Sequence, residues 1–209
     1  MHALILAGGE LELSAQVKKL AKEAQFIVAA DSGIRHAKSL GLQPDLIVGD
    51  FDSASEFDLK NFEGIPQKGF PPEKDWLDLE LALAEVLKQN PDRISMMGAT
   101  GGRLDQTLAA LLIASNHAAQ NIALYSGKQS IFYLVAKAEL QLELAPSTLF
   151  SLLSLKEVST VTVKNAQYEL DDFALEFGVG LGVSNRVRQS PLSLGLKSGL
   201  IAIIIEHYE

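Results

Sequence analysis

Pro44-Asp45-Leu46-Ile47-Val48-Gly49-Asp50-Phe51-Asp52-Ser53 joins a short apolar, β-rich run to an abrupt polar turn. A run this short, bounded by turn formers, reads as a strand in the core of a sheet. Similar runs at 4–6, 26–30, 94–97 and 122–125 predict four more such strands. Between them, apolar residues recur at helical spacing. Leu13, Val17, Leu20 and Ala24 form one stripe, Leu79, Leu83, Val86 and Leu87 a second, and Leu104, Leu108, Leu111 and Leu112 a third. Each stripe predicts a helix that turns one face toward the sheet. The alternation predicts an α/β fold, a mostly parallel sheet with helices on both faces.

From about Ser130 the texture changes. Apolar or alternating runs at 131–135, 140–144, 149–153, 158–163, 192–196 and 200–205 follow one another without a helical stripe. Lys197-Ser198-Gly199 predicts a hairpin turn between the last two. The C-terminal part therefore reads as an all-β sandwich, and the chain divides into an α/β unit at 1–127 and a β unit at 128–209.

Composition narrows the function classes. The chain has 209 residues, 47% of them hydrophobic, enough to bury a substantial core. Its 18 basic and 26 acidic side chains leave a net charge of −8, and no basic run offsets this, so nucleic acid is not an expected partner. With no cysteine, any metal site must use carboxylates or histidines. The apolar run at 3–7 lacks the features of a signal peptide, and the run at 200–205 is too short to span a bilayer. The expected location is cytoplasmic, with no membrane partner.

In an open α/β sheet, ligands collect beyond the carboxyl ends of the strands. There this chain places Gly8-Gly9, Asp31-Ser32-Gly33, the acidic segment from Gly49 to Ser53, and Gly98-Ala99-Thr100-Gly101-Gly102-Arg103-Leu104-Asp105. Asp50 and Asp52 are two residues apart, so in an extended segment both carboxylates project to one side and suit a hard cation such as magnesium. The residues alone equally allow a turn in which Asp and Ser bond their own backbone. The glycine-rich segment leads into a helix whose first N–H groups favour an anion, with Arg103 as a forked charge. It is not a Walker A loop. Asp75 is the expected cap of the next helix, with Asp78 in its first turn. The four histidines show no ligand spacing, and Trp76 and Tyr168 are candidates for stacking on a planar ligand.

These segments, taken in order, resemble the thiamine pyrophosphokinase family. The resemblance runs from Ala30-Asp31-Ser32-Gly33, through the stretch at 44–53 and that at 74–80, to Gly101-Gly102-Arg103-Leu104-Asp105-Gln106. It continues into the β part through Tyr168-Glu169-Leu170 and Ser184-Asn185. It implies transfer of the pyrophosphoryl group of ATP to the hydroxyl of thiamine, giving thiamine diphosphate and AMP. It also implies a homodimer with thiamine in a cleft between subunits. On this resemblance Asp50, Asp52 and Asp78 hold Mg2+, and these with Arg103 and Asp105 form the catalytic set. The resemblance further assigns Asp31, Ser53, Lys74, Gly101, Gly102, Arg103 and Gln106 to the nucleotide, and Tyr168, Ser184 and Asn185 to thiamine.

Several positions depart from the family pattern. Ser32 stands where glycine is common, Leu77 where threonine is common, Arg186 where many bacterial members have glutamate, and Asn165-Ala166-Gln167 where Gly-Leu-Lys is usual. Alternative readings are a pyrophosphokinase for another heteroaromatic alcohol such as a pterin, and a non-catalytic nucleotide- or thiamine-binding regulatory protein. A metal-dependent phosphohydrolase is a third.

Overall fold

The computed structural model describes residues 1–49, 62–69 and 76–207, which fall into two compact units, Met1–Gly127 and Lys128–Glu209. Asp50, Asp52, Ser53, Lys74 and Asp75 lie outside the described residues.

In the first unit, β1 (His2–Leu6), β2 (Phe26–Ala30), β3 (Leu46–Gly49), β4 (Gln67–Gly69), β5 (Arg93–Met97) and β6 (Ile122–Tyr125) form a parallel sheet in the order β6-β5-β1-β2-β3-β4. β1 is buried along its whole length, as a central strand covered on both faces must be. Among the described residues, four helices join the strands: α1 (Ala15–Glu23), α2 (Ile34–Leu40), α3 (Asp78–Leu87) and α4 (Leu104–Asn116). The chain steps from β1 outward to β4, then returns to the other side of β1 for β5 and β6. Because parallel crossovers are right-handed, this reversal sends α1 and α2 to one face and α3 and α4 to the other. It also opens a crevice between β1 and β5, beyond their carboxyl ends.

Local chemistry sets the helix starts. The Ser14 hydroxyl caps α1 by accepting the Val17 N–H at 3.3 Å. α3 has Leu77 at its cap position rather than Asp75. A leucine side chain accepts no hydrogen bond, so only half a capping box forms, with the Glu80 carboxylate receiving the Leu77 N–H at 2.9 Å.

α4 corrects the expected orientation of its leucine stripe. Leu104, Leu108 and Leu112 are exposed at 71%, 51% and 58%, whereas Ala110 and Ala114 are buried. The helix is packed by its small residues, which bring its backbone close, Leu111 is half-buried, and the other three leucines are left outward.

The second unit is all-β. β7 (Gln129–Val135), β9 (Leu149–Ser154), β12 (Asn185–Arg186) and β14 (Leu200–Glu206) pair in the order β12-β9-β14-β7. β8 (Ala138–Leu142), β10 (Val158–Lys164), β11 (Leu170–Glu176) and β13 (Leu192–Ser198) form a second antiparallel sheet in the order β11-β10-β13-β8. Burial alternates along β9 and β10, so every second side chain points inward. Phe150, Leu152, Val161, Val163, Leu194 and Ile203 from both sheets share one core. The predicted hairpin at 197–199 is a different connection: a tight link leads from β13 in one sheet to β14 in the other. Among the described residues no helix is long and apolar enough to cross a membrane.

Candidate functional site

A cavity of about 510 Å³ opens at the crevice between β1 and β5. Its wall includes Gly8, Gly9 and Glu10 after β1, Asp31, Ser32 and Arg35 after β2, Leu77 and Asp78 at the start of α3, and Gly101, Gly102, Arg103 and Gln106 at the start of α4. Asp31, Asp78, Gly101, Gly102, Arg103 and Gln106 from the sequence reading thus line one space. Asp105 neighbours it through Arg103.

The floor is built by backbone pairing between two loops. After β1 and β5 diverge, the Gly9 N–H donates to Gly98 O and the Glu10 N–H donates to Thr100 O at 3.0 Å, the second contact forming a short antiparallel bridge. Glycine is required where these segments meet. A Cβ on Gly98, which has φ +68°, would lie 2.9 Å from the His36 ring. A Cβ on Gly33 would collide with the Leu6 carbonyl group, its carbon only 2.6 Å away. Ser32 occupies its position without positive φ, and its hydroxyl fills the space above Gly8, so the departure from glycine is accommodated locally.

The first turns of α2 supply two braces that the sequence reading did not single out. The Arg35 guanidinium donates to Gly8 O and, at 2.9 Å, to Gly9 O. The ring of the buried His36 reaches Gly9 O at 2.8 Å, and a carbonyl partner requires the proton on Nε2. Burial holds the His36 pKa below its ordinary value, favouring the neutral ring, although its bond to Gly9 opposes this. Each brace spans 26 or 27 residues. Their only sequence signal was position, just past Asp31-Ser32-Gly33.

Carboxylates dominate the wall. Asp31 is held at φ +47°, a left-handed conformation uncommon outside glycine, and a Cβ on Gly49 would come within 3.2 Å of it. The end of β3, where the acidic segment begins, is therefore beside Asp31. Asp78 is the first residue of α3, where the helix dipole favours negative charge. Glu10 adds a third carboxylate. Such hard oxygen donors suit magnesium, which needs only one or two protein carboxylates when phosphates complete its shell. Among the described residues alone, no three metal-binding side chains cluster.

Arg103 faces the opposite charge. Its Nε and Nη2 donate to the two oxygens of Asp105 at 3.1 and 2.6 Å, and both side chains are exposed. Asp105 has its pKa lowered, first by this Arg103 bond and then by the Gln106 N–H, so it stays ionised and holds the guanidinium at the cavity rim. An exposed pair of this kind is weak, and Arg103 is free to exchange a carboxylate for a phosphate.

The remaining candidates lie in the second unit. Tyr168 is 63% exposed. Ser184 is exposed at φ +64°, its N–H donating to the Ser151 hydroxyl at 3.1 Å. Asn185 is buried, and its side chain is bonded to the Tyr168 backbone. Asn165 has φ +64°, so it adopts a conformation that glycine enters more easily, which accounts for the Asn-for-Gly departure there. Its carbonyl accepts from Arg188 and Gln189, and its amide donates to Pro191 O at 2.8 Å. Arg186 donates to Ser147 O at 3.0 Å.

Comparison with known proteins gives a consistent result. Residues 17–126 match the family described as "Thiamin pyrophosphokinase, catalytic domain", and residues 137–201 match "Thiamin pyrophosphokinase, vitamin B1 binding domain". The sequence is 26% identical over 205 residues to thiamine pyrophosphokinase of Bacillus subtilis, covering 96% of each chain. It is 25% identical over 211 residues to thiamin pyrophosphokinase 1 of Caenorhabditis elegans, covering 94% of this chain and 85% of that protein. The fold agrees with the crystal structure of the Bacillus subtilis protein at a TM-score of 0.89, with 24% identity and all of both chains covered.

Proposed function

Since the chain belongs to the thiamin pyrophosphokinase family, we propose that it transfers the pyrophosphoryl group of ATP to thiamine, releasing AMP. One observation carries the reading to this chain's own residues. The cavity at the β1/β5 crevice brings carboxylates, a glycine-rich helix start and a forked cation to one space, the combination a metal-polyphosphate requires.

The thiamine hydroxyl oxygen attacks the β-phosphorus of ATP, and the bond from that phosphorus to the oxygen bridging to the α-phosphorus breaks. AMP leaves with the bridging oxygen, and the hydroxyl proton passes to solvent or a nearby base. Such a step depends mainly on in-line positioning and charge neutralisation. Asp50, Asp52 and Asp78 would hold Mg2+, which supplies charge neutralisation along the polyphosphate. Arg103 turns from Asp105 to the phosphates, with Gln106 and the N–H groups at Gly101 and Gly102 beside it. Asp31, Ser53 and Lys74 complete the nucleotide set. Asp105 returns Arg103 to the rim when the products leave.

Tyr168 and Ser184 receive thiamine, the exposed ring of Tyr168 offering a stacking face. A homodimer is supported by apolar side chains left exposed: Leu104, Leu108 and Leu112 on α4, and Phe177, Leu181 and Val183 in the second unit. A cytoplasmic site of action fits the acidic, cysteine-free composition.

The test is acceptor-dependent AMP release with ATP and magnesium across thiamine and other heteroaromatic alcohols. AMP release with thiamine is expected. Release only with another alcohol would move the assignment to a different acceptor, and binding without release would make the chain a non-catalytic family member.

A further inference from the structure

The Tyr168 segment is held by a ladder that ends in a side chain. Ala166 bridges Val187, and the Gln167 N–H donates to Arg186 O at 2.8 Å. At the next residue a main-chain partner is replaced by the amide of Asn185, 17 positions away. Its Oδ1 accepts the Tyr168 N–H at 3.1 Å, and its Nδ2 donates to Tyr168 O at 2.7 Å. The same Oδ1 accepts the Arg186 N–H at 2.8 Å.

Hydrogen-bond capacity decides what this side chain can do. A carboxamide oxygen has two lone pairs, and both are used here by backbone N–H groups. Turning the amide over would set its NH2 against two N–H donors, so the network fixes its orientation. With both lone pairs used, one of its two amide N–H groups given to Tyr168 O and only 7% of its surface exposed, Asn185 offers a ligand no acceptor and little surface. The Tyr168 ring, in contrast, projects from a peptide whose N–H and C=O are both pinned. A pinned peptide lowers the entropy lost when an aromatic ligand stacks on the ring.

We propose that Asn185 is a positioning residue that acts on the acceptor only through Tyr168, holding its ring as a preorganised stacking face. This rests on the reading that Tyr168 meets thiamine, and it reassigns Asn185 from contacting thiamine to building the surface that does.

A double-mutant cycle tests it, reading KM for thiamine and for ATP in full-length protein. Tyr168→Ala is expected to raise the thiamine KM on the order of tenfold, the size of a lost aromatic stack, with the ATP KM unchanged. Asn185→Ala is expected to raise the thiamine KM several-fold, again without moving the ATP KM, and to add nothing in the Tyr168→Ala background. Asn185→Asp keeps the volume and both acceptances but sets a carboxylate oxygen against Tyr168 O. It provides the same readout with little change in packing. A purely structural defect would not confine itself to one substrate's KM.

If Tyr168→Ala leaves the thiamine KM unchanged while thiamine diphosphate still forms, the reading beneath the proposal fails. If Tyr168→Ala raises it but the Asn185 variants raise it equally with and without the ring, Asn185 contacts the acceptor itself and the positioning role is overturned. Asn185 variants with unchanged thiamine KM overturn it as well.

Discussion

Replacing Asp78 by Asn separates the two roles that a carboxylate at the start of α3 can play. As a helix charge, Asp78 interacts with the dipole at the first residue of the helix, and such a charge contributes about 0.5 kcal/mol when it is not alone. It is not alone, because Glu80 remains in the same turn and still receives the Leu77 N–H. A loss of that size lowers Tm by only about 1–2 °C in a protein of this length. As a metal ligand the same carboxylate supplies charge to a cation between protein and phosphates. Losing a ligand there costs on the order of 3 kcal/mol in the transition state, about two orders of magnitude in rate. Thermal unfolding and magnesium-titrated AMP release, measured on the same preparation, read the two effects apart. The expected outcome is a nearly unchanged Tm with turnover reduced about a hundredfold and a weaker magnesium response. Turnover within twofold of the parent at the same magnesium midpoint would refute the metal role and leave Asp78 as a helix charge.

Three further outcomes follow from the site and its supports. Gly33→Ala would force a Cβ into the Leu6 carbonyl, so the first unit should lose roughly 2 kcal/mol or more, and an unchanged urea midpoint would contradict the close packing of the Asp31–Gly33 turn against β1. Arg103→Lys replaces a fork by a point charge, and the ATP KM should rise on the order of tenfold; an unchanged KM would remove Arg103 from the polyphosphate. His2, His36 and His207 all have folded pKa values held below 6.5, chiefly by burial, with Arg93 adding to the effect at His2. The unfolded chain therefore binds protons that the folded chain refuses, so stability is fully present above about pH 6.5 and is lost as pH falls through the folded values. The urea midpoint should drop between pH 7.5 and 5.5, and a midpoint that holds or rises would contradict this linkage.

Legibility in the sequence followed burial. β1, β2, β3, β5 and β6 could be read because they are buried along nearly their whole length and so carry apolar runs. β4 could not, since Gln67-Lys68-Gly69 lies at the sheet edge and needs no apolar run. β11 was missed for a related reason: Asp171, Asp172, Phe173 and Ala174 are exposed on an outer strand. The α4 leucines show that periodicity reports an apolar face without saying what covers it. A stripe meant for another surface looks the same as one meant for the core. At 197–199 the turn chemistry was legible but the sheet change was not, because a short link fits either connection. In the site, the residues that line the cavity carried motif-like spacing, and Asn185 stood out only through the Ser184-Asn185 resemblance, whereas Arg35 and His36 act on backbone carbonyls 26 or 27 positions away. Such contacts leave no periodic signature.

The most direct test is one incubation with ATP, magnesium and thiamine, followed by separation of thiamine mono- and diphosphate and of AMP and ADP. Thiamine diphosphate and AMP are expected in equal amounts, with no AMP formed when thiamine is withheld. Unmodified thiamine, or thiamine monophosphate accompanied by ADP, would contradict it.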